Sequence, residues 1–296
     1  MELQWPLMVF TLFVCLGAGI FGVQGLLAVL GKGEKIQLPC LVASLVSIGI
    51  GGIGSFLHLE HWERIFNGFG HLTSGITQEL IAIVVIVFLM VVYFIMMRRS
   101  EDGKAPKWCG VMAIIVSIVL VAVMSHSYNM VARPAWDTPL LWLYYLANGI
   151  LFGGLAVAII SGVKGDESTG LAIKASIVGG IVQALAAAAY AVYFAVSASA
   201  FTKVGYYFDP THPTKEMIDP GIEFGSIFAG ENAALFWLGV VVVGVVIPLI
   251  AAILCHKKES NQVVTLAAVG LICALVGGMC FRVILYLLGY SVFVFY

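Results

Sequence analysis

Long apolar stretches alternate along the chain with short polar ones. Eight of them, near 5–30, 37–58, 77–97, 107–128, 138–162, 170–198, 232–255 and 262–289, are long enough to cross a hydrocarbon core of ~30 Å as helices rising ~1.5 Å per residue. The apolar runs are continuous and show no period-2 alternation, so the backbone satisfies its hydrogen bonds within helices rather than in a closed barrel. The pattern predicts an all-α polytopic membrane protein. It has a single integral-membrane domain over 1–296, eight transmembrane helices and one longer loop at about 201–231.

Composition agrees. Of 296 residues, 61% are apolar and 10% are charged, against about 25% charged in ordinary soluble domains. The mean hydropathy is +1.04. A cytosolic enzyme, a nucleic-acid binder and a disordered chain are excluded together. The start, Met1 to Pro6, has no Lys or Arg ahead of its apolar run, and that run is too long for the core of a cleaved signal. The first helix is therefore expected to be retained. Ten basic residues fall in one set of loops (Lys32, Lys35, Arg98, Arg99, Lys104, Lys107, Lys164, Lys174, Lys257, Lys258) and four in the other (Arg64, Arg133, Lys203, Lys215). Basic loops stay in the cytoplasm, so both termini are expected on the outer side. None of the six cysteines forms a Cys-x-x-Cys pair. They read as small packing residues, with no metal site.

The two sets of loops differ in kind. The cytoplasmic ones are short mixtures of turn and charge. The outer ones hold His, Arg, Asn, Trp and Tyr in mixed order, as functional loops do. The first outer segment carries His58, Arg64, Asn67 and Ser74, and Glu79 opens the third span. Glu79 by itself reads as a charge complementing a helix N-terminus. The second outer segment carries His126, Tyr128, Asn129, Arg133 and Trp136 before Pro139. Trp136 and Tyr128 also suit an aromatic belt, and His126 a polar contact between helices.

Arg282, in the outer half of the eighth span, is the fifteenth basic residue. An intramembrane arginine reads as function by default, against snorkelling to the headgroups. Gly277 and Gly278 before it allow close helix approach or room for a ligand. An apolar pocket open to the membrane and edged by His, Arg, Asn, Tyr and Glu suits a quinol. Its two ring oxygens need hydrogen-bond partners, and its oxidation releases two electrons and two protons. Histidine accepts a proton near neutrality, a carboxylate passes it on, and arginine steadies the developing anion.

Four segments resemble the membrane-anchor subunits of the anaerobic dimethyl sulfoxide reductase family. They are Gln4 to Phe13; Leu57-His58-Leu59 with Arg64 to Asn67, Ser74 and Glu79; Tyr128-Asn129 with Pro134 to Pro139; and Gly277 to Arg282. Glu60 and Trp62 stand where that family usually has Gly and Pro. The resemblance implies a multi-pass protein of the prokaryotic cytoplasmic (inner) membrane with periplasmic termini. It implies an anchor that oxidises menaquinol and carries no haem or iron–sulfur cluster of its own. Its implied partners, on the outer face, are a four-cluster iron–sulfur subunit and a molybdopterin catalytic subunit. His58 matches the family's quinol-site histidine.

The expected roles follow. His58 accepts the proton or hydrogen bond. Arg64 and Arg282 steady the anion. Asn67, Ser74, His126, Tyr128, Asn129, Arg133 and Trp136 line the quinol site, and Glu79 relays the proton. Two alternatives stand beside this reading. A haem b subunit needs facing histidine pairs within spans, whereas only His58 and His126 lie near span ends. A secondary transporter favours repeats and midplane polar groups.

Overall fold

The computed structural model describes residues 3–58, 61, 67, 69–101, 103–204, 226–256 and 260–289, the side chains of 197–204, 260 and 261 excepted. Eight helices among them are long and apolar enough to cross a membrane. They are α1 (Trp5–Val29), α2 (Gln37–His58), α3 (Gly75–Arg99), α4 (Lys107–His126), α5 (Leu140–Lys164), α6 (Thr169–Val204), α7 (Glu231–Cys255) and α8 (Ser260–Leu287). The expected spans hold to within a few residues, except that α6 runs on to Val204; Lys174, counted above with the loops, lies inside this helix, within the expected span 170–198. Of the expected 201–231 loop, 201–204 belong to α6, 205–225 lie outside the described residues, and α7 begins at Glu231.

α1 and α5 form the centre. The apolar stretch of each is 67% buried within the protein, against 22% for α3. Glycine explains how closely the two approach. A Cβ on Gly19 would sit 1.9 Å from the Gly149 carbonyl oxygen, and one on Gly153 would sit 2.1 Å from the Gly19 backbone. α2 and α4 pack on α1, α6 packs on α5, and α8 closes the ring against α5 and α7. The small-residue seam matches how helices associate where lipid is as apolar as the side chains.

α7 and α8 cross with their backbones in contact at Gly244 and Gly277, where a Cβ on Gly277 would lie 2.0 Å from the Gly244 Cα. Ahead of Pro248, α7 is wound as a π-helix from Leu235 to Val246. Proline has no N–H and its ring collides with the carbonyl four residues back. The wider winding upstream moves that carbonyl clear.

The loops at the basic end are tied by hydrogen bonds. Gly165 ends α5 with a left-handed backbone, φ 58, a conformation glycine adopts without strain. The next residue, Asp166, accepts from the Ser168 N–H at 2.8 Å and the Lys35 N–H at 3.1 Å. Two loops 131 residues apart are thereby pinned together. Lys104 pairs with Glu34 at 3.0 Å nearby.

Candidate functional site

The opposite end of the bundle gathers the C-termini of α2, α4 and α8 and the N-termini of α1, α3 and α5. Arg282 lies five residues inside α8, about 7 Å from its end, and is completely buried. It does not snorkel. Its Nε donates to Thr11 Oγ1 at 2.7 Å, its Nη1 to the Gly278 carbonyl at 2.8 Å and to Asn148 Oδ1 at 3.3 Å, and its Nη2 approaches Cys15 Sγ at 3.5 Å. The guanidinium carbon lies 4.5 Å from the centre of the Tyr145 ring. Among the described residues these partners are all neutral. The charge is dispersed over dipoles and a π face, and among the described residues no carboxylate is bonded to it.

Each contact has a local cause. Thr11 donates its own hydrogen to Met8 O at 3.2 Å, which leaves its lone pairs for Arg282. Asn148 gives its amide N–H to Gln183 Oε1 at 2.6 Å, which turns its oxygen toward the guanidinium. The network thus links α1, α5, α6 and α8. The glycine pair ahead of Arg282 serves helix approach. Gly277 meets Gly244, and the space over Gly278 is taken by Phe152, Leu12 and Asn148 Oδ1 rather than left open.

A second cluster lies where α3 meets the end of α4. A Cβ on Gly75 would fall 2.7 Å from Ser127 Cβ, so α3 begins tight against Ser127. One helical turn later, on the same face, the carboxylate of Glu79 accepts a hydrogen bond from the Ser127 hydroxyl. Glu79 is buried, which is more than a dipole-complementing surface charge requires. Tyr128 follows at once. Its phenol is buried, and desolvation, with Tyr286, Tyr145 and Glu79 as electrostatic neighbours, pushes its pKa well above the ordinary value. It therefore stays an O–H donor throughout the physiological range. The Tyr128 and Trp136 rings lie 5.5 Å apart, and the Trp136 and Tyr286 rings 5.2 Å apart.

Several residues expected to line a site carry structural bonds. Trp136 Nε1 donates to the Leu285 carbonyl at 2.6 Å, and Arg133 Nη1 donates to the Gly289 carbonyl at 3.1 Å while its guanidinium lies 4.5 Å from the Trp136 ring centre. The segment between α4 and α5 is thus fastened to the end of α8. Asn129 Oδ1 accepts from Trp142 Nε1 at 2.9 Å, and His126, exposed, stands edge-on to the same Trp142 at 5.5 Å.

His58 is half-buried at the end of α2, Asn67 is exposed, and Ser74 sits partly buried just before α3. No hydrogen bond among the described residues joins the side chains of these three to the clusters above. Arg64 lies outside the described residues. Sequence reasoning missed Thr11, Cys15, Asn148 and Gln183. Asn148 and Gln183 carried a usable signal, being amides well inside apolar spans.

Comparison with known proteins agrees with this architecture. The family model described as "DMSO reductase anchor subunit (DmsC)" matches residues 1–288. The protein is similar to the C chain of the anaerobic dimethyl sulfoxide reductase of Escherichia coli (strain K12), with 27% identity over 197 residues, 62% of its own length and 68% of the relative's. It is also similar to the protein of the same name from Haemophilus influenzae (strain ATCC 51907 / DSM 11121 / KW20 / Rd), with 26% identity over 163 residues, 52% of its own length and 57% of that relative's.

Proposed function

The chain belongs to the family of DMSO reductase anchor subunits, and from that premise we propose that it oxidises menaquinol inside the membrane and passes the electrons to an iron–sulfur subunit. That subunit docks on the face carrying both termini and hands the electrons to a molybdopterin catalytic subunit. The ten-to-four bias of basic residues supports a periplasmic face for this docking and the cytoplasmic membrane of a prokaryote as its place.

The observation that carries the reading is the buried cation of Arg282, whose bonded partners among the described residues are all neutral, close to Tyr286 and its neighbours Tyr128 and Glu79. A lone buried charge is costly to a fold. Its retention is explained if it lowers the energy of an anion formed nearby. Quinol oxidation forms one, because the ring oxygen becomes negative as its proton leaves.

Since the Arg282 fork is occupied by Thr11, Asn148 and Gly278, its contribution is a fixed positive field, preorganised before the substrate arrives. Tyr128 supplies a permanent O–H donor for a ring oxygen. His58 takes a proton, and Glu79 with Ser127 passes one toward the surface. Arg64 keeps the anion-steadying role assigned on sequence grounds. Asn67, Ser74, His126 and Asn129 edge the entrance, while Arg133 and Trp136 hold its wall against α8. Both protons leave on the termini side, so this step moves no net charge across the membrane if the reductase consumes protons there too.

The test uses membranes containing the assembled complex. His58→Ala should abolish quinol-linked reduction of the terminal acceptor while leaving dye-linked reduction by the partner subunits intact. Normal quinol-linked turnover in that variant would overturn the assignment.

A further inference from the structure

A groove of about 420 Å³ lies on the lipid-facing side of α1 and α5, flanked by α4 and α6 and lined by Gly22, Ser117, Ile118, Ala175, Val178 and Lys174 among others. Lys174 stands at its border toward the basic end, and none of the residues bonded to Arg282 lines it. Its cause is in the sequence. Gly19 and Gly149 let α1 and α5 close on each other, Gly22 lies under Ser117 of α4, and none of the three has a side chain to fill the furrow. Two polar groups break its apolar wall. Ser117 is 6% exposed, and its hydroxyl has no hydrogen-bond partner among the described residues. It projects over Gly22, where a Cβ would lie 3.5 Å from its oxygen. Lys174 is exposed and stands five residues inside α6, about 7 Å from that helix end, whereas Ser117 lies about 15 Å inside α4.

We infer that this groove retains one anionic phospholipid, its phosphate at Lys174, a glycerol ester carbonyl accepting from Ser117 and an acyl chain along the furrow. The order of the groups matches such a lipid: charge at the water border, a single acceptor deeper, then hydrocarbon. A cation beside apolar wall attracts an anionic headgroup at the interface. A buried hydroxyl without a partner carries a desolvation cost that an ester oxygen removes. The inference stands apart from the quinol reading, since it uses none of those residues.

The purified complex would be equilibrated in detergent with equal amounts of phosphatidylglycerol and phosphatidylcholine. The lipid retained per anchor chain would then be weighed by native mass spectrometry and identified after extraction. The wild type should hold phosphatidylglycerol in preference. Lys174→Gln, at an exposed position that tolerates polar change, should hold about fivefold less, the weight of one basic side chain near a charged surface. Ser117→Ala should weaken retention of both lipids. Val178→Phe, which lays a ring into the furrow from its lipid side, should expel the lipid. Equal retention of the two lipids by the wild type, unchanged retention by Lys174→Gln, or recovery of a quinone in place of phospholipid would each overturn the inference.

Discussion

Arg282 Nε and Thr11 Oγ1 meet at 2.7 Å, and through them the last span is bonded to the first. The two residues are 271 positions apart. Replacing Thr11 by Val keeps the shape of the side chain and removes its acceptor. One N–H of a buried cation is then unpaired, at a cost of about 2 kcal/mol. The expected result is a lower melting temperature for the assembled complex in detergent, with Thr11→Ser close to wild type. An unchanged melt in Thr11→Val would show that the contact adds nothing to stability.

Charge and fork can be separated at Arg282. Arg282→Gln removes the field and should slow quinol-analogue oxidation about a hundredfold per assembled complex, an effect of ~3 kcal/mol on the barrier. Arg282→Lys keeps the charge but cannot serve Thr11, Asn148 and Gly278 together. It should fall between Gln and wild type in rate, and it should also melt earlier. Wild-type rates in both variants would remove Arg282 from the quinol chemistry.

The indole of Trp136 fastens the 127–139 segment to α8 through Leu285 O. Trp136→Phe keeps most of the ring packing and loses the bond, about 1 kcal/mol. Faster amide hydrogen exchange confined to that segment is the expected signature, with helices α1 and α5 unaffected. A uniform increase across the chain would instead mark Trp136 as a core residue with no fastening role.

At the crossing of α7 and α8, no side chain fits. Gly277→Ala places a methyl 2.0 Å from the Gly244 Cα, where neither backbone has room to yield without moving a whole helix. A loss of about 1–3 kcal/mol is expected, read as reduced accumulation of complex in membranes. Gly52→Ala, where an added Cβ meets nothing within 4 Å, serves as the matched control and should be nearly silent.

The spans were legible because water-to-lipid transfer is read along one dimension. A run of apolar residues needs no knowledge of its neighbours to declare itself. α6 was underestimated beyond 198 because Ser199, Thr202 and Lys203 lower hydropathy without breaking the helix. Arg282 was legible for the same one-dimensional reason, as a charge where charge is expensive. Its partners were not. Thr11, Cys15 and Asn148 are ordinary residues until the rotation of each helix is known, and hydropathy is silent on rotation. Trp136 and Arg133 show the same limit from the other side. Their chemistry suits ligand binding as well as it suits the carbonyls of Leu285 and Gly289, and only folding selects between these uses. The π-winding before Pro248 left a single trace, the proline itself.

The polarity of the Arg282 network has a consequence for biosynthesis. A ribosome delivers Thr11, Cys15 and Asn148 before it delivers Arg282, so every partner that the cation draws from another helix is made before α8 reaches the membrane. A nascent chain released before α8 lacks only the guest and still contains the hosts. The eighth helix is therefore the step at which the guanidinium meets the partners waiting for it on α1 and α5. Until then the arginine is a charge in the membrane without the partners that disperse it.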